Sequence, residues 1–297
     1  MSILIGIFEQ GLIFSIAALG VYITYKILDF PDLSVDGTFA LGASITAVCI
    51  VNKINPFLTC LISFLFGSIG GLLTGILHIK FKINNLLSGI LVMMALYSIN
   101  LRIMTKPNIP LMGQKNIFSY NINSLLITFV FMFAIKFMLD IFLKTKLGYV
   151  LKAAGDNEQL VTSLGLNKNI IKILGLMLSN GLVSLSGSIT SQYQGFSDVG
   201  MGSGIVVMGL AAVIIGESIF KNIKFIDLTT MVVMGSIFYK ASITFALLLG
   251  LSPTDLKLVT TLIVIVALSL NNKTLNLKPI KICCFGGARF VKDSRTL

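Results

Sequence analysis

Two long, nearly continuous apolar runs, residues 57–77 and 125–143, constrain the fold more than any other feature of this chain. Each is close to the roughly 20 helical residues that cross the hydrocarbon core of a bilayer. Neither alternates in the ten-residue rhythm of a barrel strand. The spans are therefore helical, with each backbone polar group bonded inside its own segment. The rest of the chain agrees: 55% of its 297 residues are hydrophobic and 12% charged. A soluble domain of this length could not bury so much apolar surface. The expected fold is all-α, a polytopic membrane helical bundle of about nine spans with short broken helices.

Hydropathy places the spans at residues 7–28, 38–51, 57–79, 86–104, 122–143, 170–193, 205–220, 225–249 and 257–270. Residues 1–270 then form the transmembrane domain, and 271–297 a tail whose six Lys and Arg stand against the single Asp293. Basic residues mark the cytoplasmic face of a bacterial membrane. They put Lys80 and Lys82, the segment 144–172, Lys221 and Lys224, and the tail on that side. The loop 105–121 is expected outside, although Lys106 and Lys115 run against the rule. The net charge of +11 is read as lysine gathered at the cytoplasmic membrane face, not as a signal for nucleic acid, and the basic tail is expected near anionic lipid.

Segment 144–172 is the longest polar interruption between two long apolar blocks. Asp156 is the expected N-cap of a short helix, with Gln159 three residues on as in a capping box. Leu160, Val161 and Leu164 give that helix an apolar side, and Gly165 suits the position after its end. A short capped helix with an apolar side, about 12 Å long, is a docking surface. Its expected role is to receive force from a partner protein.

Two polar breaks share one design. Phe30-Pro31-Asp32-Leu33 and Phe196-Ser197-Asp198-Val199 each follow a long span and precede a short one containing glycine. Five spans precede the second copy, and an odd number inverts it, so an inverted repeat is expected. Backbone freed by a break inside a membrane survives only where protein or a water-filled cavity satisfies it. Asp32, Asp36, Gly37, Asp198 and Gly202 are accordingly placed along a substrate pathway. Capping of the second span ahead of Thr38 is a competing role for Asp36.

The chain carries no P-loop, HExxH or GxSxG motif, and Cys49, Cys60, Cys283 and Cys284 lack metal-site spacing. The single histidine, His78, sits at a span end. No catalytic residue, metal site or bound cofactor is expected. Charge within the spans reads as too sparse for an ion relay, with Glu217 the one candidate, paired to Lys221 one turn on.

Four stretches together carry a family resemblance: Glu9–Leu12 with Ala18–Thr24; LDFPDLSVDGTF at 28–39; AGDN at 154–157 through LGLN at 164–167; and GLAAVIIGE at 209–217. The chain resembles the permease subunits of bacterial ABC importers of the branched-chain amino acid and ribose type. It is most similar to the subgroup of amino-acid or tryptophan/tyrosine permeases. The resemblance implies a subunit of the bacterial inner membrane that carries a small solute. It implies cytoplasmic ATPase subunits that consume the ATP, a second permease subunit (homodimeric or heterodimeric, the homodimer preferred) and an extracytoplasmic solute-binding protein. It also makes 155–167 the coupling helix, with Gly155, Asp156, Asn157, Glu158, Leu164 and Gly165 at the ATPase contact. An ion-coupled secondary transporter is the alternative on the residues alone.

Overall fold

A computed structural model describes residues 2–119, 123–220 and 226–250, with 258, 260–262 and 265. The chain is a helical membrane bundle. Among the described residues, seven helices are long and apolar enough to cross a membrane, and the shorter apolar helix Ile205–Phe220 accompanies them. Of the nine expected spans, the last, 257–270, lies largely outside the described residues, as does the whole tail.

The helix α8 (Lys168–Gln194) is the axis. Its 27 residues extend about 40 Å at 1.5 Å each. It is held less by apolar contact than by small residues and hydroxyls, as expected where lipid removes the hydrophobic drive between helices. Along α3 (Pro56–Ile79), the glycine stripe lets backbones approach: a Cβ on Gly71 would sit 2.2 Å from the Leu176 carbonyl oxygen. Ser184 Oγ donates to the Ser63 carbonyl at 2.7 Å. Toward α1 (Ser2–Tyr22), Ser179 donates to the Gly20 carbonyl and Ser186 to that of Ile13, at 2.7 and 2.9 Å. Such bonds contribute about 0.6 kcal/mol each in membrane bundles.

These contacts fix directions. α1 runs antiparallel to α8, from Glu9 beside Tyr193 to Gly20 beside Ser179, and ends in a π-helical turn, Ile23–Ile27. The chain then reverses through Leu28–Leu33 into α2 (Ser34–Val51), which runs parallel to α8: Ser34 meets Asn180, and Thr46 meets Ser188. α2 thus begins beside the middle of α8. It starts four residues before the expected Thr38, because Asp32 accepts from the Ser34 amide at 2.8 Å and settles the first turn.

α4 (Asn85–Met104) leads to a short strand β1 (Asn108–Pro110), and α5 (Ser124–Lys144) follows at the periphery with apolar faces toward lipid. After α8, β2 (Phe196–Asp198) pairs antiparallel with β1, Asn108 opposite Asp198 and Pro110 opposite Phe196. This ribbon is the one departure from an all-α chain among the described residues, and it was not legible as strand. Residues 199–204 then turn back into the bundle to α9 (Ile205–Phe220), which packs on α10 (Leu228–Leu248).

α9 starts beside α2 and runs the other way. The Val206 amide meets Asp36, Gly209 meets Val21, and Glu217 reaches Lys26 near the end of the first span. Two shortened helices therefore begin side by side near mid-bundle and diverge. One heads for the ribbon end and the other for the opposite end, as an inverted pair of broken helices requires.

Candidate functional site

The end of the bundle opposite the ribbon carries an elbow of two helices, α6 (Lys146–Asp156) and α7 (Glu158–Ser163). The sequence reading put one helix here, capped by Asp156. Asp156 instead closes α6, and Asn157 is the cap: its backbone is extended (φ −153°) and its Oδ1 accepts from the amides of Gln159 and Leu160 at 3.0 and 3.3 Å. Asn157 can leave the helical region because the α6 ladder already ends with its amide bonded to the Ala153 carbonyl. α7 closes as expected at Gly165, whose φ is +73°. The Gly165 amide bonds the Thr162 carbonyl and the Leu166 amide that of Val161, the pair that defines a Schellman stop.

Of the apolar side chains on α7, Val161 is fully buried, whereas Leu160 and Leu164 are 49% and 63% exposed. The buried one anchors the helix and the other two face outward. The elbow is tied to the spans at two points. Glu158 takes Lys168 Nζ on one carboxylate oxygen at 2.6 Å and Lys172 Nζ on the other. The two cations pull its carboxyl from an ordinary 4.5 down to about 2, Lys168 contributing most. Gly155 lies on the π-helical turn, so close that a Cβ there would be 1.9 Å from the Ile27 carbonyl oxygen. Gly155 is thus a packing contact with the first span, with Leu28 beside it.

From Leu28 the break climbs to a buried polar knot. Asp32, 4% exposed, accepts from the Ser34 amide and from Asn180 Nδ2, each at 2.8 Å. Asn180 is fully buried, and its Oδ1 accepts from the hydroxyls of Ser34 and Thr38. Every atom here is matched, so the break is held by bonds that an apolar surrounding makes costly to lose. Asp36 does not cap its own helix. Its carboxylate accepts from the Gly204 and Val206 amides, each at 2.9 Å, and so caps α9.

Asp36 and Gly37 also line an open groove of about 510 Å³ with Tyr97, Ser98, Asn100 and Ser203. Gly202 abuts it, since a Cβ there would meet the Asp36 carbonyl oxygen at 1.8 Å. Asn100 is 0% exposed, and its Oδ1 is without a hydrogen-bond partner among the described residues. A buried acceptor left open on the wall of a groove is an incomplete site. Three of the five expected pathway residues, Asp36, Gly37 and Gly202, therefore come together. Asp32 lies behind them in the knot. Asp198 is apart, bonded to the Gly200 amide at 2.7 Å and to Asn108 across the ribbon.

The sequence reading missed Asn180, Asn100 and Lys240. Each is a polar residue within an otherwise apolar span, and that signal alone could have flagged them. It also undercounted charge inside the spans. Lys136 and Asp140 pair within α5 at 2.6 Å, and Glu9 accepts from the Tyr193 hydroxyl at 2.8 Å. Glu217 pairs with Lys26, at 3.1 Å; its expected partner Lys221 lies outside the described residues. Among the described residues, no cluster of His, Cys, Asp or Glu could hold a metal ion.

Comparison with known proteins gives this geometry its setting. A protein of Clostridioides difficile (strain R20291) described as a tyrosine transport system permease protein is 55% identical over 278 residues, covering 94% of both chains. An uncharacterized protein of Rickettsia prowazekii (strain Madrid E) is 36% identical over 276 residues, covering 91% of this chain and 98% of its own length. No solved structure matches the chain significantly. The family model described as "Branched-chain amino acid transport system / permease component" matches residues 3–269, so the chain belongs to that family of membrane permeases.

Proposed function

We propose that this chain is the membrane-spanning subunit of an ATP-driven importer of a small solute, an amino acid, and that the α6–α7 elbow is where a separate ATPase pushes. The elbow end of the bundle is then cytoplasmic and the ribbon end faces a solute-binding protein. A second copy of the chain completes the pore in the bacterial plasma membrane. The permease family makes the chain a transport subunit, and the ATPase and binding protein are the partners that such permeases imply. The name of the Clostridioides difficile relative makes tyrosine the first cargo to test.

The observation that carries this reading is the double anchorage of the α6–α7 elbow. The elbow, with Leu160 and Leu164 facing outward, is bound through Glu158 of α7 to α8 and through Gly155 of α6 to the end of the first span. Force applied to α7 reaches the Asp32–Asn180 knot through both. The pathway is the groove beside Asp36, Gly37 and Gly202, and it opens to alternate sides as the two halves rock. The chain supplies no chemistry to this cycle, only a lever and two packings of similar energy.

The test is copurification with the ATPase and ATP-dependent uptake, measured for Gly155→Pro and for the double variant Asp156→Lys, Glu158→Lys. Both should insert in the membrane yet lose ATPase association or uptake. Normal uptake by either variant rejects the coupling role.

A further inference from the structure

Lys240 stands near the middle of α10, without a counter-charge among the described residues. The acidic groups on the helices around it are all engaged. On α1, Glu9 holds the Tyr193 hydroxyl; on α9, Glu217 holds Lys26. On α5, Asp140 holds Lys136 and the Thr229 hydroxyl. On α2, Asp36 takes the two amides of α9. Among the described residues, Lys240 Nζ makes no hydrogen bond or ion pair, and its nearest electrostatic partner is the face of Phe14, 5.2 Å from the ring centroid. An aromatic face offers an ammonium a part of what water gives and none of the charge balance. A lone cation inside a membrane bundle marks a functional position by default.

Beside it lies a cavity of about 170 Å³, walled by Lys240, Gln10, Thr190, Tyr193 and Gln194 together with apolar side chains. It shares no wall residue with the groove at Asp36. Its volume is many times the 10–15 Å³ or so that one water needs. The Thr190 and Tyr193 hydroxyls already donate to the Ser186 carbonyl and to Glu9, so the donors left for a ligand are the Lys240 ammonium and the carboxamides of Gln10 and Gln194; with no carboxylate in the wall, these suit a single negative group.

We propose that this cavity is an anion-binding site in which Lys240 receives a carboxylate-sized monoanion. The carboxylate of a zwitterionic cargo and a free small anion share that chemistry. Naming the cargo as the source rests on the amino-acid reading above, whereas the site itself does not.

The experiment follows the thermal stability of the full chain in lipid nanodiscs against sodium acetate, L-tyrosine and tyramine, which lacks the carboxylate. Ionic strength is held constant with sulfate. Wild type is compared with Lys240→Met, Lys240→Gln and Lys240→Arg. Acetate and L-tyrosine should stabilise wild type and tyramine should not. Lys240→Met and Lys240→Gln should need at least tenfold more of either anion, and Lys240→Arg less than threefold more. Stabilisation by acetate but not L-tyrosine, still dependent on Lys240, keeps the site and removes the cargo as its ligand. Wild type indifferent to both anions overturns the proposal, as does a neutral variant that responds like wild type. The wild-type arms decide even if a neutral variant fails to fold.

Discussion

Replacing Gly155 by alanine tests the lever with one methyl group. The added Cβ would lie 1.9 Å from the Ile27 carbonyl oxygen, where side-chain carbons essentially never come within 3.0 Å of another atom. The elbow must therefore back away from the first span by more than 1 Å or so, a shift an overpacked core resists. It cannot slide freely, because Leu151, on the same helix, is 2% exposed and lies against Gly175 of α8, where a Cβ would be 2.8 Å from Leu151 Cδ1. Overpacking of this kind costs about 1–3 kcal/mol. If that strain falls on the contact that transmits force, coupling drops by roughly 5- to 150-fold. The assay is uptake per ATP hydrolysed, in proteoliposomes holding the permease with its ATPase. Hydrolysis should persist while uptake per ATP falls by at least fivefold. A monodisperse Gly155→Ala complex with unchanged uptake per ATP would refute the reasoning, since the methyl group would then have loosened a contact that carries no force.

Glu158→Gln removes both ion pairs to α8. Because Glu158 is 42% exposed, each should be worth only about 0.2–1 kcal/mol, read as a small fall in melting temperature. The pairing holds the carboxyl near 2 instead of 4.5, so its contribution is complete above about pH 4.5 and fades as pH falls toward 2. The stability gap between wild type and Glu158→Gln should close over that window, and a gap constant from pH 6 to pH 3 would show that the charge is irrelevant. Asn180→Leu takes from Asp32 one of its two donors and from the Ser34 and Thr38 hydroxyls their shared acceptor in the bundle centre, on the order of 2–3 kcal/mol; a large drop in thermal stability is expected, and a melting temperature within a degree of wild type would deny the knot its role. Asn100→Leu removes an unpaired acceptor and the long 3.4 Å bond from Asn100 Nδ2 to the Gly37 carbonyl, so stability should fall by no more than about 1 kcal/mol while ATP-driven uptake falls; equal uptake would detach Asn100 from the pathway.

Span positions were the most legible part of the chain, because they follow from composition summed over many residues. An apolar helix was expected and found at 205–220, though it is shorter than the seven described helices that are long enough to cross, and the glycine stripe of α3 packs as a small-residue stripe should. Single-residue roles were less legible wherever they depend on a partner far along the chain. Asp36 looked like the cap of the helix that follows it, but the amides that claim it lie about 170 residues away, on α9. Asp156 and Asn157 are equally good caps on paper, and the choice fell to where α6 runs out of turns. The β1–β2 ribbon is three residues on each side, too short for any period-two pattern. Lys240 falls within the expected span 225–249, but its lack of a charged partner among the described residues shows only once α10 is packed.

The carboxylate of Asp36 is covalently part of one broken helix and electrostatically the first residue of the other. Pulling the two apart would leave an anion and two amide protons without the partners that now match them. Whatever swings during a transport cycle, this point is where separation is hardest. It should behave as the fulcrum, with the widest excursions at the elbow and at the ribbon, the places most distant from it.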